Sequence, residues 1–502
     1  MKKIFNSNFL FIVALSLSAG ACTDLNNAET DSIIPKSTGA GQGGDPTQLL
    51  EGAYKDLGAY TDQANIYALG EHATAEMIPP TRGVDWGDNG VWRTLDQHTW
   101  DATHSWNLGS WNQLNQRVYK CNQILAASPS AAQAAEAKFL RAFNMFNVMD
   151  YWGQVPFRNT TDGVDVNPKV FSRSEAFDFI VKDLEEALAG LTKKGPAAVN
   201  AQASKAAANF MLAKMYLNKG VYKSANPAGP YTFDAADMNK VIGYVDAITA
   251  DGYDLETKYF DNFTTTASKE IIFVSNEGSP SNRWFMTLHY DQDPSGWNGF
   301  TTLADFYGKF TSADQRRGFV TPKTGKAFDG IDRGFLRGPQ YKNDGSVLVD
   351  SRTKKPLSFT DDVPLAGAAT DKGIRVIKYH PANAGKYILA RYGDALMMKA
   401  EAQLRGGTGG AAAALVTVNL VRAKRSNTTP VLAALTALDL PGMADERSRE
   451  VYWEGGRRTD EVRFGTFLTG PGVVNKDPGT VLYPIPADAV TSNPNLKQNA
   501  GY

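Results

Sequence analysis

The sequence predicts a mostly α-helical fold in which paired helices pack against a long, loop-rich and weakly β inserted half. Three observations carry that prediction. Apolar residues recur at three- and four-residue spacing across 47–250 and again across 386–466, as they do on helices with one buried face. The intervening stretch, 255–385, is instead dominated by Gly, Asp, Pro and aromatic residues. Composition is ordinary for a globular chain, with 42% hydrophobic and 21% charged residues, so wholesale disorder and a continuous coiled coil are excluded. The formal net charge of −1 also argues against a nucleic-acid binder, which gains affinity from many phosphate-neutralising Lys and Arg.

The chain opens with an address. Met1-Lys2-Lys3 is positive, and Phe9–Ala19 is an apolar run too short for the roughly 20 residues a helix needs to cross a bilayer. Residues 1–21 therefore read as a secretory signal. The small residues Ala19-Gly20-Ala21 lead into Cys22 in a pattern that resembles the bacterial lipobox, where the cysteine is acylated and becomes the mature N-terminus. The departure is Ala19, where Leu is commoner; an ordinary cleaved signal followed by Cys is the alternative. A lone exposed thiol is a liability in a secreted chain, which favours lipidation. Several acyl chains together would hold the protein on a membrane. From Cys22 to Pro46 the chain is rich in Asn, Ser, Thr, Gly and Asp and reads as a flexible tether, residues 22–46. No second long apolar run follows, so the domain at 47–502 is expected to be soluble and tethered.

Within that domain Trp106 and Trp111 open a helix running to Leu125, where both rings are expected in the core. Phe139, Ala142, Phe143, Phe146 and Met149 form one face of a helix ending near Gly153. Phe177, Ile180, Val181, Leu184 and Leu188 form the next, with Ser174 as its N-cap. Ala206 to Leu217 is stopped by Gly220, and Val241 to Ile248 stops near Gly252. Leu389, Tyr392, Leu396 and Ala400 form a further stripe closed by Gly406-Gly407, followed by a helix over Ala411–Lys424. Helix pairs of this length, with small residues at close-approach positions, are hairpins of the tetratricopeptide kind. Their period is irregular and the insertion at 255–385 splits them, so this is no simple solenoid.

In the insertion, Glu270–Ser275 reads as a strand and Arg375–Tyr379 as a second. Long irregular loops that persist usually carry function. The run from Glu446 to Arg463 alternates charge at helical spacings, a pattern worth about 0.2–0.5 kcal/mol per pair on a helix. Glu450 and Glu454 invite comparison with a glycosidase pair, but the surrounding arginines would lower carboxyl pKa values where a general acid needs one raised. Arg141 reads as a paired structural charge and Cys121 as a buried, inert thiol. Residues 467–502, rich in Pro and Asn, read as a strap tied onto the surface.

Three blocks resemble the SusD/RagB family of Bacteroidetes outer-membrane nutrient-binding lipoproteins. They are FLRAFNMFNVMDYWGQVPF (Phe139 to Phe157), RYGDALMMKAEAQLR with VTVNLVRAKR (Arg391 to Arg425), and ERSREVYWEGGRRTDEVRFG (Glu446 to Gly465) followed by LYPIPADAVTSNPNLKQNAGY. GFTTLADFYGKFTSADQRRG (Gly299 to Gly318) and the lipobox complete the family's order. The resemblance implies a SusD-like fold, a lipid-anchored place on the outer membrane at the cell surface, and capture of oligo- or polysaccharide. It also implies a SusC-like TonB-dependent transporter as partner. An oligopeptide ligand, as in the RagB branch, and a surface glycosidase are the alternatives. The family's ligand face lies among loops of the first helices and the inserted half.

Tryptophan placement gives candidate ligand residues. Of the 9 tryptophans, Trp86, Trp92, Trp100, Trp106 and Trp111 cluster together. Trp86 and Trp92 lie in TRGVDWGDNGVW, too rich in Gly and acids for a regular buried element, and Trp284, Tyr290 and Trp297 lie in an equally loop-like stretch. An indole face packs against the apolar C–H face of a pyranose at low entropic cost, while polar neighbours bond its hydroxyls. The candidate site is thus Arg82, Asp85, Trp86, Asn89, Trp92, Trp284, Tyr290 and Trp297, suited best to a neutral glycan. The competing reading is that these rings only anchor their own loops. Arg316 and Arg317 are either recognisers of an acidic sugar or partners of Asp314 and other nearby acids. With 2 Cys and 5 His, and with no phosphate-binding, zinc-protease or serine-hydrolase motif, no metal, cofactor or catalytic residue is expected. Asp291 and Asp293 lack the spacing of a calcium loop.

Overall fold

Helix ends show how local sequence sets the architecture. Ser130 Oγ accepts the Gln133 N–H (3.3 Å) while Gln133 Oε1 accepts the Ser130 N–H (3.0 Å), a reciprocal cap that starts a helix over Ala131–Trp152. The same helix stops at Gly153, whose φ of 70° is the left-handed conformation glycine adopts without penalty. The computed structural model describes residues 44–278, 280 and 282–502. The signal segment, Cys22 and nearly all of the tether lie outside the described residues.

The long helices are α1 (Ser105–Ala126), α2 (Ala131–Trp152), α3 (Arg173–Gly190), α4 (Lys205–Leu217), α5 (Ala235–Ala250), α6 (Tyr392–Leu404), α7 (Gly410–Lys424), α8 (Leu440–Val451) and α9 (Arg457–Phe464). From α1 to α7 each packs against the next, so the hairpins stack in chain order. The step from α5 to α6 crosses the insertion, and the two helices still pack together. The fold is the mostly helical, tetratricopeptide-like architecture the spacing predicts.

Several boundaries differ from expectation for physical reasons. Ser172 caps α3, bonding reciprocally with Glu175, because it stands three residues before a glutamate and the expected Ser174 does not. Helix α4 ends at Asn218, and Gly220 sits inside a short following helix, Lys219–Tyr222. Leu389 belongs to a strand, Tyr387–Arg391, that runs directly into α6. That strand pairs antiparallel with Ile271–Ser275, Ile271 opposite Arg391 and Ser275 opposite Tyr387. The entering and returning ends of the insertion are thereby tied together at its neck. Beyond the neck, Gly318–Phe319, Arg333–Leu336 and Arg375–Ile377 form a three-stranded antiparallel sheet.

The charged run from Glu446 is two helices, α8 and α9, broken where Trp453 (φ 57°) and Gly455 (φ 88°) turn left-handed. Its charges are buried in the core, not spread over a solvated face. Glu450 Oε1 meets Arg391 Nη1 at 2.6 Å and Arg425 Nη2 at 2.8 Å, and Glu450 Oε2 meets Arg316 Nη1 at 3.3 Å. Glu270 joins Arg391 and Arg425. A neighbouring set links Glu401 and Asp460 to Arg463, and Asp460 and Asp394 to Arg447. Burial would raise the Glu450 carboxyl, but Arg425 and Arg391 outweigh it and hold it well below the usual range. Glu454 borders a small cavity, but there too burial is outweighed by Arg391 and Lys378, which hold its carboxyl below the usual range as well, the opposite of what a general acid needs. Arg141 pairs with Asp183 at 2.7 Å, and burial pushes the Cys121 thiol up to about 12.

The C-terminal segment is wedged into the body over 480–486, while most of the flanking residues lie at or near the surface. Val481, Tyr483 and Ile485 are buried. Tyr483 donates its N–H to Tyr151 O (2.8 Å) and its hydroxyl to Leu69 O (2.7 Å), and Asn107 donates to Pro484 O. Apolar side chains at alternate positions drive it inward despite the flanking prolines.

Candidate functional site

Two irregular segments and the start of α1 meet to form a cleft of about 810 Å³. The first segment is shaped by a tight turn in which Arg82 and Asp85 exchange both main-chain hydrogen bonds at 3.0 Å. Trp86 (φ 63°), Asp88 (φ 35°), Asn89 (φ 54°) and Gly90 (φ 86°) then turn left-handed in close succession. Asn, Asp and Gly tolerate that conformation, whereas a bulky Trp does so at a cost of about 1–3 kcal/mol and only where its surroundings fix it. Here Trp86 Nε1 donates to Trp297 O (2.9 Å), and its ring lies on Gly299, where a Cβ would come within 2.4 Å of the indole.

The second segment folds back on itself. Trp297 N–H bonds Phe285 O (2.8 Å), and Asn298 and Gly299 bond Leu288 O and Met286 O (both 2.7 Å). This hairpin-like closure brings Trp297 beside Trp86, with ring centroids 6.2 Å apart. The indoles continue as a row: Trp86 to Trp92 at 5.7 Å, and Trp92 to Trp106 at 5.5 Å. Phe300, buried, packs under both Trp86 and Trp92. Successive planes are tilted by 55°, 62° and 50°, so the row is faceted and not flat. Trp297 is 49% exposed, Trp86 and Trp106 are half-buried, and Trp92 at 2% forms the floor.

Polar groups stand around this row. Trp92 Nε1 donates to Asp88 Oδ2 (2.6 Å), and Tyr290 donates its hydroxyl to Asp85 Oδ2 (2.5 Å). Burial and then the Asp85 carboxylate push the Tyr290 phenol up to about 12, so it stays a donor. The Arg352 guanidinium lies over the Tyr290 ring at 4.0 Å, with Nη1 3.5 Å from Asp85. Gln63, Asn89 and Ser105 complete the polar lining, and no Lys or Arg is among the lining residues.

Of the candidates drawn from the sequence, Asp85, Trp86, Asn89, Trp92, Tyr290 and Trp297 line this one cleft. Arg82 does not. It is 2% exposed and donates its guanidinium to Ala369 O and Lys372 O, which fastens the turn to a neighbouring loop. Trp284 also lies outside the lining: it packs between Phe285 and a small apolar cluster that includes Leu288, Leu336 and Phe359. Trp106, expected in the core with Trp111, instead joins the cleft, while Trp111 is buried as expected. Arg316 is fully buried and paired with Asp314, and Arg317 bonds the Tyr307 hydroxyl, so neither serves the cleft. Arg352 and Asp88 had no distinguishing sequence signal beyond their place in loops.

Comparison with known proteins gives a consistent result. The family model described as starch-binding associating with outer membrane matches residues 53–217, and the model described as SusD family matches residues 261–473. The starch-binding protein SusD of Bacteroides thetaiotaomicron is 25% identical over 100% of this chain and 99% of its own length. The SusD-like protein P38 of Formosa agariphila is 23% identical over the whole of both chains. Among solved structures, a SusD-like protein from Bacteroides fragilis superposes with a TM-score of 0.68 at 20% identity, covering 91% of this chain and 97% of that one. A surface glycan-binding protein A from Bacteroides thetaiotaomicron, solved with laminarihexaose, has a TM-score of 0.64 at 17% identity, covering 90% and 98%. With two models of one family matching successive stretches that together take in most of its length, the chain belongs to the SusD family.

Proposed function

We propose that this protein is a carbohydrate-binding protein that holds a neutral oligo- or polysaccharide in the indole-lined cleft and performs no chemistry on it. The observation that carries the proposal is the row Trp297–Trp86–Trp92–Trp106, with open faces on three of its rings, in a cleft edged by hydroxyl, amide and carboxylate groups. Such rings stack on pyranose C–H faces while the edge groups bond hydroxyls. Asp85 and Asp88 with no lining Lys or Arg disfavour uronate or sulfated glycans, which would meet like charge. The relatives support a neutral ligand by their descriptions: a starch-binding protein, a laminarin-binding SusD-like protein and a complex with laminarihexaose.

In the same reading the acylated Cys22 holds the domain on the outer membrane, at the cell surface. The captured glycan passes to a SusC-like TonB-dependent transporter. Family membership and the signal-like N-terminus support both steps.

Isothermal titration against neutral glucans, an anionic polygalacturonate and a mixed peptide pool tests the proposal. The expected result is binding of at least one neutral glucan, weakened about tenfold or more in Trp297→Ala, equivalent to about 1.4 kcal/mol. Binding of peptide alone, or unchanged glucan affinity in the variant, contradicts it.

A further inference from the structure

Behind the cleft, His289, Asp291 and Asp350 converge. Among the described residues they are the group of His, Cys and carboxylate side chains close enough to share an ion, with one ligand atom from each lying within 4.8 Å of the others. His289 is 0% exposed and Asp350 2%. Nε2 of His289 is enclosed without any hydrogen-bond partner, facing Asp350 Oδ2 at 3.7 Å, beyond hydrogen-bond reach. A buried nitrogen left unpaired costs about 1–3 kcal/mol, so it calls for an occupant.

The carboxylates are held in place from behind. Asp350 accepts the Arg352 N–H (2.7 Å) and the Thr370 hydroxyl (2.6 Å), and Asp291 Oδ2 accepts the Ser351 N–H (2.9 Å). Asp291 Oδ2 also stands 3.5 Å from His289 Nδ1. Carboxylate, imidazole and a second carboxylate in that order form the arrangement in which an outer acid orients a metal-bound histidine.

We propose that His289 Nε2 and Asp350 Oδ2 bind a first-row divalent cation, with Asp291 orienting the imidazole from its other side. Two ligand atoms 3.7 Å apart fit a cation about 2.1 Å from each. A nitrogen–oxygen set selects zinc-like ions over calcium or magnesium, which take oxygen. In the metal-free protein Nδ1 accepts the Asp291 N–H (3.2 Å), so the ring proton is on Nε2. Loading moves that proton to Nδ1, which gives up the Asp291 N–H and turns to donate to the Asp291 carboxylate, now 3.5 Å away, and no proton leaves the site. Arg375 and Arg82 stand near and oppose the added charge, so the affinity is moderate, not that of a structural zinc. The ion joins the loop bearing Tyr290 and Trp297 to the turn bearing Arg352, whose guanidinium lies over the Tyr290 ring, and so braces one wall of the cleft from behind. Sequence spacing concealed the set, since Asp350 lies far along the chain from His289 and Asp291.

The test uses the chain treated with chelator and titrated with zinc chloride, with calcium chloride in parallel and no glycan present. It therefore stands apart from the glycan reading. The expected result is one zinc per chain with a raised thermal midpoint, no comparable calcium effect, and at least a tenfold loss of zinc affinity in His289→Gln and Asp350→Asn. Asp291→Asn, at a partly exposed position where the amide oxygen can still accept the Ser351 N–H, loses about tenfold as an orienting group should. Absence of zinc binding in the unaltered chain, or unchanged affinity in Asp291→Asn together with either folded ligand variant, overturns the proposal.

Discussion

The charged centre around Glu450 and the indole cleft are opposite solutions to placing demanding side chains. At Glu450, three arginines and a second glutamate are withdrawn from water and every charge meets its opposite. In the cleft, large rings keep part of their surface open, and several residues hold left-handed backbone conformations. The first region ties α6, α7 and α8 to the neck of the insertion and leaves nothing over for a ligand. The second leaves apolar faces and polar edges unspent. Dense charge in a sequence therefore marks the frame here, and the proposed binding face lies where local structure is costly to hold.

The largest effect that could break this comparison is on stability. Removing one partner of a buried ion set leaves the others uncompensated and costs about 3–5 kcal/mol. Glu450→Ala is expected to lower the unfolding free energy measured in urea by that amount while the folded fraction keeps its glycan affinity. A cost below about 1 kcal/mol would mean the charges are not the frame.

Next in size is Trp86→Ala. This ring touches Trp92, Trp297 and Phe300 and rests on Gly299, so its loss removes the middle of the row. An affinity loss of about 2 kcal/mol, near thirtyfold, is expected by titration, exceeding that of Trp297→Ala. An equal or smaller loss would show that the row does not act as one surface.

A contrast in charge compensation sharpens the account. Glu461, 2% exposed, has Arg457 at 2.9 Å but also a nearby Glu76, and burial pushes its carboxyl up to about 7. A carboxyl raised in the folded state binds its proton more tightly there than in the unfolded chain. Its stabilising contribution is therefore full below about pH 4.5 and is lost as pH rises toward 7. At about 1.4 kcal/mol per unit the loss is on the order of 3–4 kcal/mol. Glu461→Gln should flatten the fall in thermal midpoint between pH 5 and pH 8; the same slope in both proteins would refute this. Glu450, held low by its arginines, has the opposite sign and loses its contribution only in acid.

The smallest effect is a deliberate near-zero. Trp284→Ala should change glycan affinity by less than about twofold while costing stability, because the ring anchors its loop outside the cleft lining. A large affinity loss would move the site.

These contrasts also show what was legible in advance. Helices α2, α3 and α5 were readable because one buried face repeats at helical spacing, and the strand at Ile271–Ser275 because its run is short and continuously apolar. Leu389 was misassigned because a strand entering α6 directly preserves the helical spacing by coincidence. Trp86 and Trp284 sit in similar Gly- and Asp-rich settings, and nothing local distinguishes a ring that lines a cleft from one that plugs a loop. That distinction is made by the pairing of Trp297 with Phe285 and by the second apolar cluster, both tertiary. Arg82 resembled a ligand group because its true partners are main-chain carbonyls, which leave no trace in sequence.

A crystal structure of the protein with a bound neutral glucan oligosaccharide tests the central claim most directly. The account predicts pyranose rings within roughly 4 Å of the faces of Trp86 and Trp297, with hydroxyls bonded to Asp85, Asn89 or Tyr290. A saccharide seated elsewhere on the molecule, with those indoles untouched, would contradict it.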